Sequence, residues 1–178
     1  MSKPFFLIIG ASGSGKTTIA EALGEMGLTS VQSYTTRASR YDGESGHVFV
    51  SPNSFPTRNE LVAYTNYSGN DYGATIQQVE ENDLYVIDID GVKFFKKAYT
   101  GDKDVYIIHI ASPIHTRVER MEARGDDFGH IMERIVEDVV AFRDAKDIAN
   151  TTITNGDDDT IESVTNAVWN YIKAIRGE

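Results

Sequence analysis

The chain contains no cysteine, which excludes disulfides, thiolate metal sites and a nucleophilic thiol together. It has no long apolar run near its start either. Phe5 to Ile9 spans five residues, too few for a secretion-signal core and far short of the roughly 20 needed to cross a bilayer. Basic residues are scarce, 17 Lys and Arg against 27 Asp and Glu, for a formal net charge of −10. Such a surface repels nucleic-acid backbones and anionic membranes, so neither is expected as a partner. A phosphate ligand would have to meet a local concentration of Lys and Arg, with a divalent cation. The expectation is a cytoplasmic protein.

What is present is one domain's worth of chain. The 178 residues suffice for a fold that buries about 70% of the surface its unfolded form exposes. Short apolar runs, FFLIIG, LYVIDID from Leu84, VYIIHI from Val105 and TTIT from Thr151, read as buried strands of a parallel sheet. Between them lie helical patterns. One runs from about Phe128 to Ala149, with Ile131, Ile135, Val139 and Phe142 at three- and four-residue spacing, and a closing helix starts at Thr160. Strands alternating with helices predict an α/β fold with ligands at the carboxyl ends of the strands. Residues 31–82, rich in Gly, Pro, Asn, Ser and Tyr, read as a small insertion of strand and turn.

Gly10 to Thr17 reads GASGSGKT, a G-x-x-x-x-G-K-S/T loop placed after a strand and before a helix. Glycines at 10, 13 and 15 let successive N–H groups converge on phosphate oxygens, and the helix behind adds its positive dipole end. The expected nucleotide-binding residues are therefore Gly10, Ser12, Gly13, Ser14, Gly15, Lys16, Thr17 and Thr18. Lys16 reaches the β- and γ-phosphates of ATP, and Thr17 ligates Mg²⁺. Asp88, at the end of the apolar run, is the second expected Mg²⁺ partner. Asp90 is read as following it on the same strand face.

Further motifs follow in order: SYTTRASR from Ser33 to Arg40, GESGHVFV, YSGNDYGAT from Tyr67 to Thr75, VIDIDGV, and RVERMEARG with Arg134 ten residues after Arg124. In this order they resemble the guanylate kinase family across nearly the whole chain. The resemblance implies a P-loop NTPase-type parallel sheet flanked by helices (core 1–30, 83–116 and 142–178), an acceptor-binding insertion (31–82) and an arginine-bearing lid (117–141). It implies that Ser33, Arg37, Arg40 and Tyr72 hold an acceptor phosphate and that Asp90 lies at the acceptor's base. It implies that Arg120, Arg124 and Arg134 close over the triphosphate, with Lys16, Arg37, Arg124 and Arg134 catalytic, and that Asn155 contacts adenine. A turn asparagine reads equally well there. Arg117 is read as helix-surface charge, and His109 and His115 as structural.

Three departures stand out. The family's guanine-reading glutamate falls at Ala63, its Ser or Thr after the Y-G pair falls at Ala74, and His47 stands where a phosphate-binding tyrosine is expected. Glu60 and Thr75 are the nearby stand-ins. The expected activity is transfer of a phosphoryl group from Mg·ATP to a nucleoside monophosphate, GMP or dGMP by resemblance. A kinase for another nucleotide or phosphorylated metabolite, and a non-catalytic guanylate-kinase-like binding module, are the alternatives.

Overall fold

The computed structural model describes residues 3–39, 41–67 and 69–178. Its centre is β1, Pro4–Ile9, flanked by β6 (Leu84–Val86), β7 (Asp104–Ala111) and β8 (Thr151–Thr154), all parallel in the order β6-β1-β7-β8. A strand covered on both faces needs no polar alternation, which is why PFFLII reads as a continuous apolar run. Its period of two still sorts the side chains. Phe6 and Ile8 join Leu23 of α1 (Lys16–Glu25) and Val168 and Ile172 of α7 (Ile161–Arg176) on one face. Phe5, Leu7 and Ile9 meet Val92 and Phe95 of α3 (Ile89–Ala98) and Ala145 of α6 (Ala145–Ile148) on the other. Burying each such large side chain contributes about 1.5–3 kcal/mol.

Helix α7 starts where Thr160 and Ser163 cap each other's backbone amides, and it stops at Gly177, whose positive φ turns the chain away. The single tryptophan, Trp169, packs in the layer beneath this face of the sheet. Among the described residues no helix is long and apolar enough to cross a membrane.

The second sheet lies within residues 31–82. Strands β2 (Ser33–Thr35), β3 (His47–Phe49), β4 (Leu61–Tyr67) and β5 (Asn70–Thr75) run in the order β3-β2-β5-β4. The β2–β3 pair is parallel; the β2–β5 and β4–β5 pairs are antiparallel. A short helix not anticipated from the sequence, α2 (Ile76–Glu81), leaves this sheet through a capping box in which Thr75 and Gln78 bond reciprocally.

Two helices, α4 (Ile114–Ala123) and α5 (Phe128–Ala141), cover the phosphate loop's side of the molecule. The helix expected to run from 128 to 149 is two: α5 ends at Ala141, a turn follows, and α6 takes over. The break lets Phe142 stack on His109, centroids 5.9 Å apart, while Ala145 enters the core. The inward face of α5 also differs from expectation. Ile131 and Ile135 are buried, but Val139 is 51% exposed and the carboxylate of Asp138 turns inward in its place. The outer face of α5 therefore carries Val136, Val139 and Val140 in solvent.

Candidate active site

The loop between β1 and α1 closes as a nest. Gly13 and Gly15 adopt φ of 76° and 89°, a hand that favours glycine. Space demands glycine as well. A Cβ on Gly13 would stand 2.7 Å from the carbonyl oxygen of Arg117, and one on Gly15 would stand 2.6 Å from Nδ2 of Asn155. Ser14 is buried beneath the loop, whereas Thr17 and Thr18 are exposed at the start of α1. Lys16 folds back so that Nζ donates to the carbonyl of Ala11 at 3.1 Å. Burial pushes its ammonium down to about 8, a fall that the nearby Asp138 carboxylate opposes and that Arg134 and Arg117 deepen.

From the loop a cavity of about 340 Å³ extends to the second sheet. Gly10, Ser12 and Lys16 line one end; Ser33, His47, Ala63 and Tyr72 line the other; Asp88, Arg134 and Asp138 stand between. The hydroxyl of Ser33 and Nδ1 of His47 are hydrogen-bonded at 2.9 Å, and the His47 ring meets Tyr72 edge-on. Tyr64, Tyr67 and Tyr85 complete an aromatic wall. Burial pushes the Tyr85 phenol up, so it stays a neutral hydroxyl beside Ser33.

Asp88 caps α3, its Oδ1 accepting from the amide of Gly91, with Thr65 beside it. Its carboxyl opens to the cavity but is hemmed by protein, and that desolvation pushes its pKa up. The strand reading of this segment is corrected: β6 ends at Val86, and residues 89 and 90 already belong to α3. At about 100° per helical residue, positions 88 and 90 diverge instead of sharing a face. Asp90, exposed and paired with Lys93 at 2.8 Å, lines an adjoining cleft that shares Asp88, Arg134 and Asp138 with the first cavity.

The expected arginines divide. Arg134 lines the cavity, and Arg120 crosses from α4 to the carbonyl of Gly13 at 3.5 Å and Oδ1 of Asn155 at 3.1 Å. Arg37 lies outside the cavity lining, in a two-pronged pair with Glu44 (2.8 and 3.2 Å), over the Phe49 ring and beside Tyr72. Arg124, exposed, bonds Asp126 at the tip between α4 and α5. Arg40 lies outside the described residues. Asn155 is fully buried, donating Nδ2 to the carbonyl of Ser14 at 2.8 Å and accepting from Arg120. Its amide thus braces the loop from behind.

Neither stand-in for the missing base readers lines the cavity. Glu60 is exposed and accepts from the amide and hydroxyl of Thr57, and the Thr75 hydroxyl caps α2. Ala63 and Ala74 face each other across β4 and β5, both buried. Two participants were missed from sequence. Arg117, read as surface charge, is 4% exposed and bonds Asp138 at 3.0 Å. The legible signal was Asp138 itself, a carboxylate three residues after Ile135 on an apolar helical stripe.

A glycine-rich phosphate nest at the carboxyl end of a parallel sheet, opening onto a cavity that reaches a second sheet, defines a P-loop nucleotide-binding protein of the phosphotransferase kind. The sequence matches the family described as guanylate kinase over residues 2–173. The chain belongs to the guanylate kinase family, whose members are nucleoside monophosphate kinases. It is 28% identical over 171 residues to the guanylate kinase of Lactobacillus johnsonii, covering 85% of this chain and 83% of that protein. It is 30% identical over 139 residues to that of Mesoplasma florum, covering 68% of this chain and 46% of that protein. The crystal structure of guanylate kinase from Anaplasma phagocytophilum shares the fold, with a TM-score of 0.67 at 22% identity, over 100% of this chain and 89% of that one.

Proposed function

We propose that the chain transfers the γ-phosphoryl group of ATP to GMP or dGMP, giving ADP and the nucleoside diphosphate. The observation that carries this is the single cavity joining Lys16 and Ser12 of the phosphate loop to Ser33, His47 and Tyr72 of the second sheet. On this reading two anionic ligands meet there end to end. The relatives named above are guanylate kinases, which favours GMP over other acceptors.

The amides of Gly13 to Thr17 and the Lys16 ammonium hold the ATP phosphates, and Arg120 and Arg134 supply further positive charge. Ser33, His47 and Tyr72, with Arg37 behind Tyr72, hold the acceptor phosphate. The exposed Thr17 hydroxyl and the Asp88 carboxyl are hard oxygen donors suited to Mg²⁺, which when bound neutralises charge on the β- and γ-phosphates. An acceptor oxygen attacks the γ-phosphorus in line as the bond to the ADP oxygen breaks. No general base is required, because a phosphate monoester with a second pKa near 6 is already mostly dianionic. The protein's part is positioning and electrostatics. A cytoplasmic setting belongs to the same proposal.

The test is an ADP-release assay with GMP, dGMP, AMP, CMP and UMP. GMP or dGMP should be preferred, and Lys16→Ala should fall to background while keeping its thermal transition. Preference for a non-guanine acceptor would overturn the acceptor assignment, and undiminished turnover by Lys16→Ala would overturn the reaction.

A further inference from the structure

The inward face of α5 presents a puzzle of placement. Ile131, Ile135 and Phe142 build an apolar stripe, yet position 138 on that stripe carries a carboxylate while three valines of the same helix sit in solvent. Burial alone would rotate or substitute the helix the other way, because desolvating a carboxylate is costly unless partners repay it. The partners are specific. Oδ2 of Asp138 accepts from the backbone amide of Ser12 at 2.8 Å and from Nη1 of Arg117 at 3.0 Å.

Both partners belong to the phosphate-binding apparatus. Ser12 is the third residue of the loop, and Arg117 is pressed against its next residue, with its main chain about where a Gly13 side chain would be. Arg117 also reaches the carbonyl of Ser12 at 3.5 Å. One carboxylate oxygen and one guanidinium thus grip the amide and the carbonyl of a single loop residue from two different helices. The opposite flank of the loop is held by Asn155 and Arg120. Without the Asp138 contact the Ser12 amide would be free to turn, and the nest would have to be reshaped by the nucleotide at the expense of binding energy.

We propose that Asp138 is a positioning residue that presets the Ser12 edge of the phosphate loop for ATP. Because it sits on α5, loop shape and lid placement are coupled through one hydrogen-bonded oxygen. The proposal rests on the loop being the ATP site, but not on which monophosphate is the acceptor.

The test compares Asp138→Ala with Asp138→Asn. The amide oxygen of Asn can still accept from Ser12 and Arg117; Ala cannot. Asp138→Ala should weaken Mg·ATP binding, read by calorimetry and as KM for ATP, by about tenfold or more, as expected for a lost charge-assisted bond. KM for the acceptor should stay within about twofold. Asp138→Asn should return to within about threefold of wild type; if the Ala variant does not fold, Asp138→Leu, which fills the same place on the apolar stripe and cannot accept, takes its place with the same tenfold expectation. Unchanged ATP binding in Asp138→Ala overturns the proposal, as does tighter binding in Asp138→Asn by tenfold, which would make the carboxylate a rival of phosphate. Equal losses for ATP and acceptor would also overturn it. If wild type binds Mg·ATP but phosphorylates no monophosphate, the proposed reaction fails while this test remains valid.

Discussion

Gly15→Ala, set against Gly43→Ala, measures how tightly the phosphate loop is braced. The two glycines share a backbone hand, with φ of 89° and 79°. A left-handed residue other than glycine costs about 1–2 kcal/mol, partly offset by about 0.4–1 kcal/mol from the stiffer unfolded chain, so Gly43→Ala should cost about 1 kcal/mol. Nothing lies within 4 Å of an added Cβ there, whereas at Gly15 it would meet Nδ2 of Asn155 at 2.6 Å. Asn155 is fully buried and cannot step aside without breaking its bond to Ser14. Losing a buried bond adds about 1–3 kcal/mol, for a total of roughly 2–4 kcal/mol. In a chain of this size that is a fall in Tm of roughly 6–12 °C for Gly15→Ala and about 3 °C for Gly43→Ala. Differential scanning calorimetry of the two variants decides it. Equal shifts would refute the claim that Asn155 is a strut with no freedom to yield.

Other outcomes are open to measurement. Lys16, with its ammonium pushed down to about 8, should lose its charge as pH rises through that value, so Mg·ATP affinity measured at pH 7, 8 and 9 should fall at the alkaline end, approaching tenfold per unit. His109 is held below its ordinary 6.5 by burial and by Lys146 and Lys16. The unfolded chain binds its proton more readily, so stability should drop as pH falls below about 6.5. His109→Phe, which keeps a ring against Phe142, should flatten that drop in urea melts at pH 7.5 and 5. Thr160→Ala removes the α7 cap and should cost about 1 kcal/mol, seen as a lower urea midpoint with unchanged slope.

Much of the fold was legible because burial on both faces writes itself into the chain as uninterrupted apolar runs: β1, β7 and β8 lie where those runs lie. The phosphate loop was legible because glycine is demanded there by both dihedral and space. The rest depended on contacts between distant segments. Asp88 and Asp90 look like strand neighbours, but β6 stops at Val86 and Asp88 already caps α3, before the apolar run has ended. Position 139 of α5 looks like core by composition, and only the phosphate loop, more than a hundred residues away in sequence, explains why position 138 turns inward instead. Asn155 and Arg117 have the same character. Each serves a main-chain group that no local pattern reveals.

The distribution of chromophores divides the optical readout of this molecule. Trp169 sits under the sheet with Val168 and Ile172, whereas Tyr64, Tyr67, Tyr72 and Tyr85 ring the cavity. Excitation selective for indole therefore follows loss of the folded layer and is largely blind to occupancy. Tyrosine emission also senses a ligand entering, through four of the chain's nine tyrosines, while Tyr106 and Tyr171 share the layer of Trp169. One unlabelled sample can yield both curves, and a variant that empties the pocket without loosening the scaffold will change only one of them.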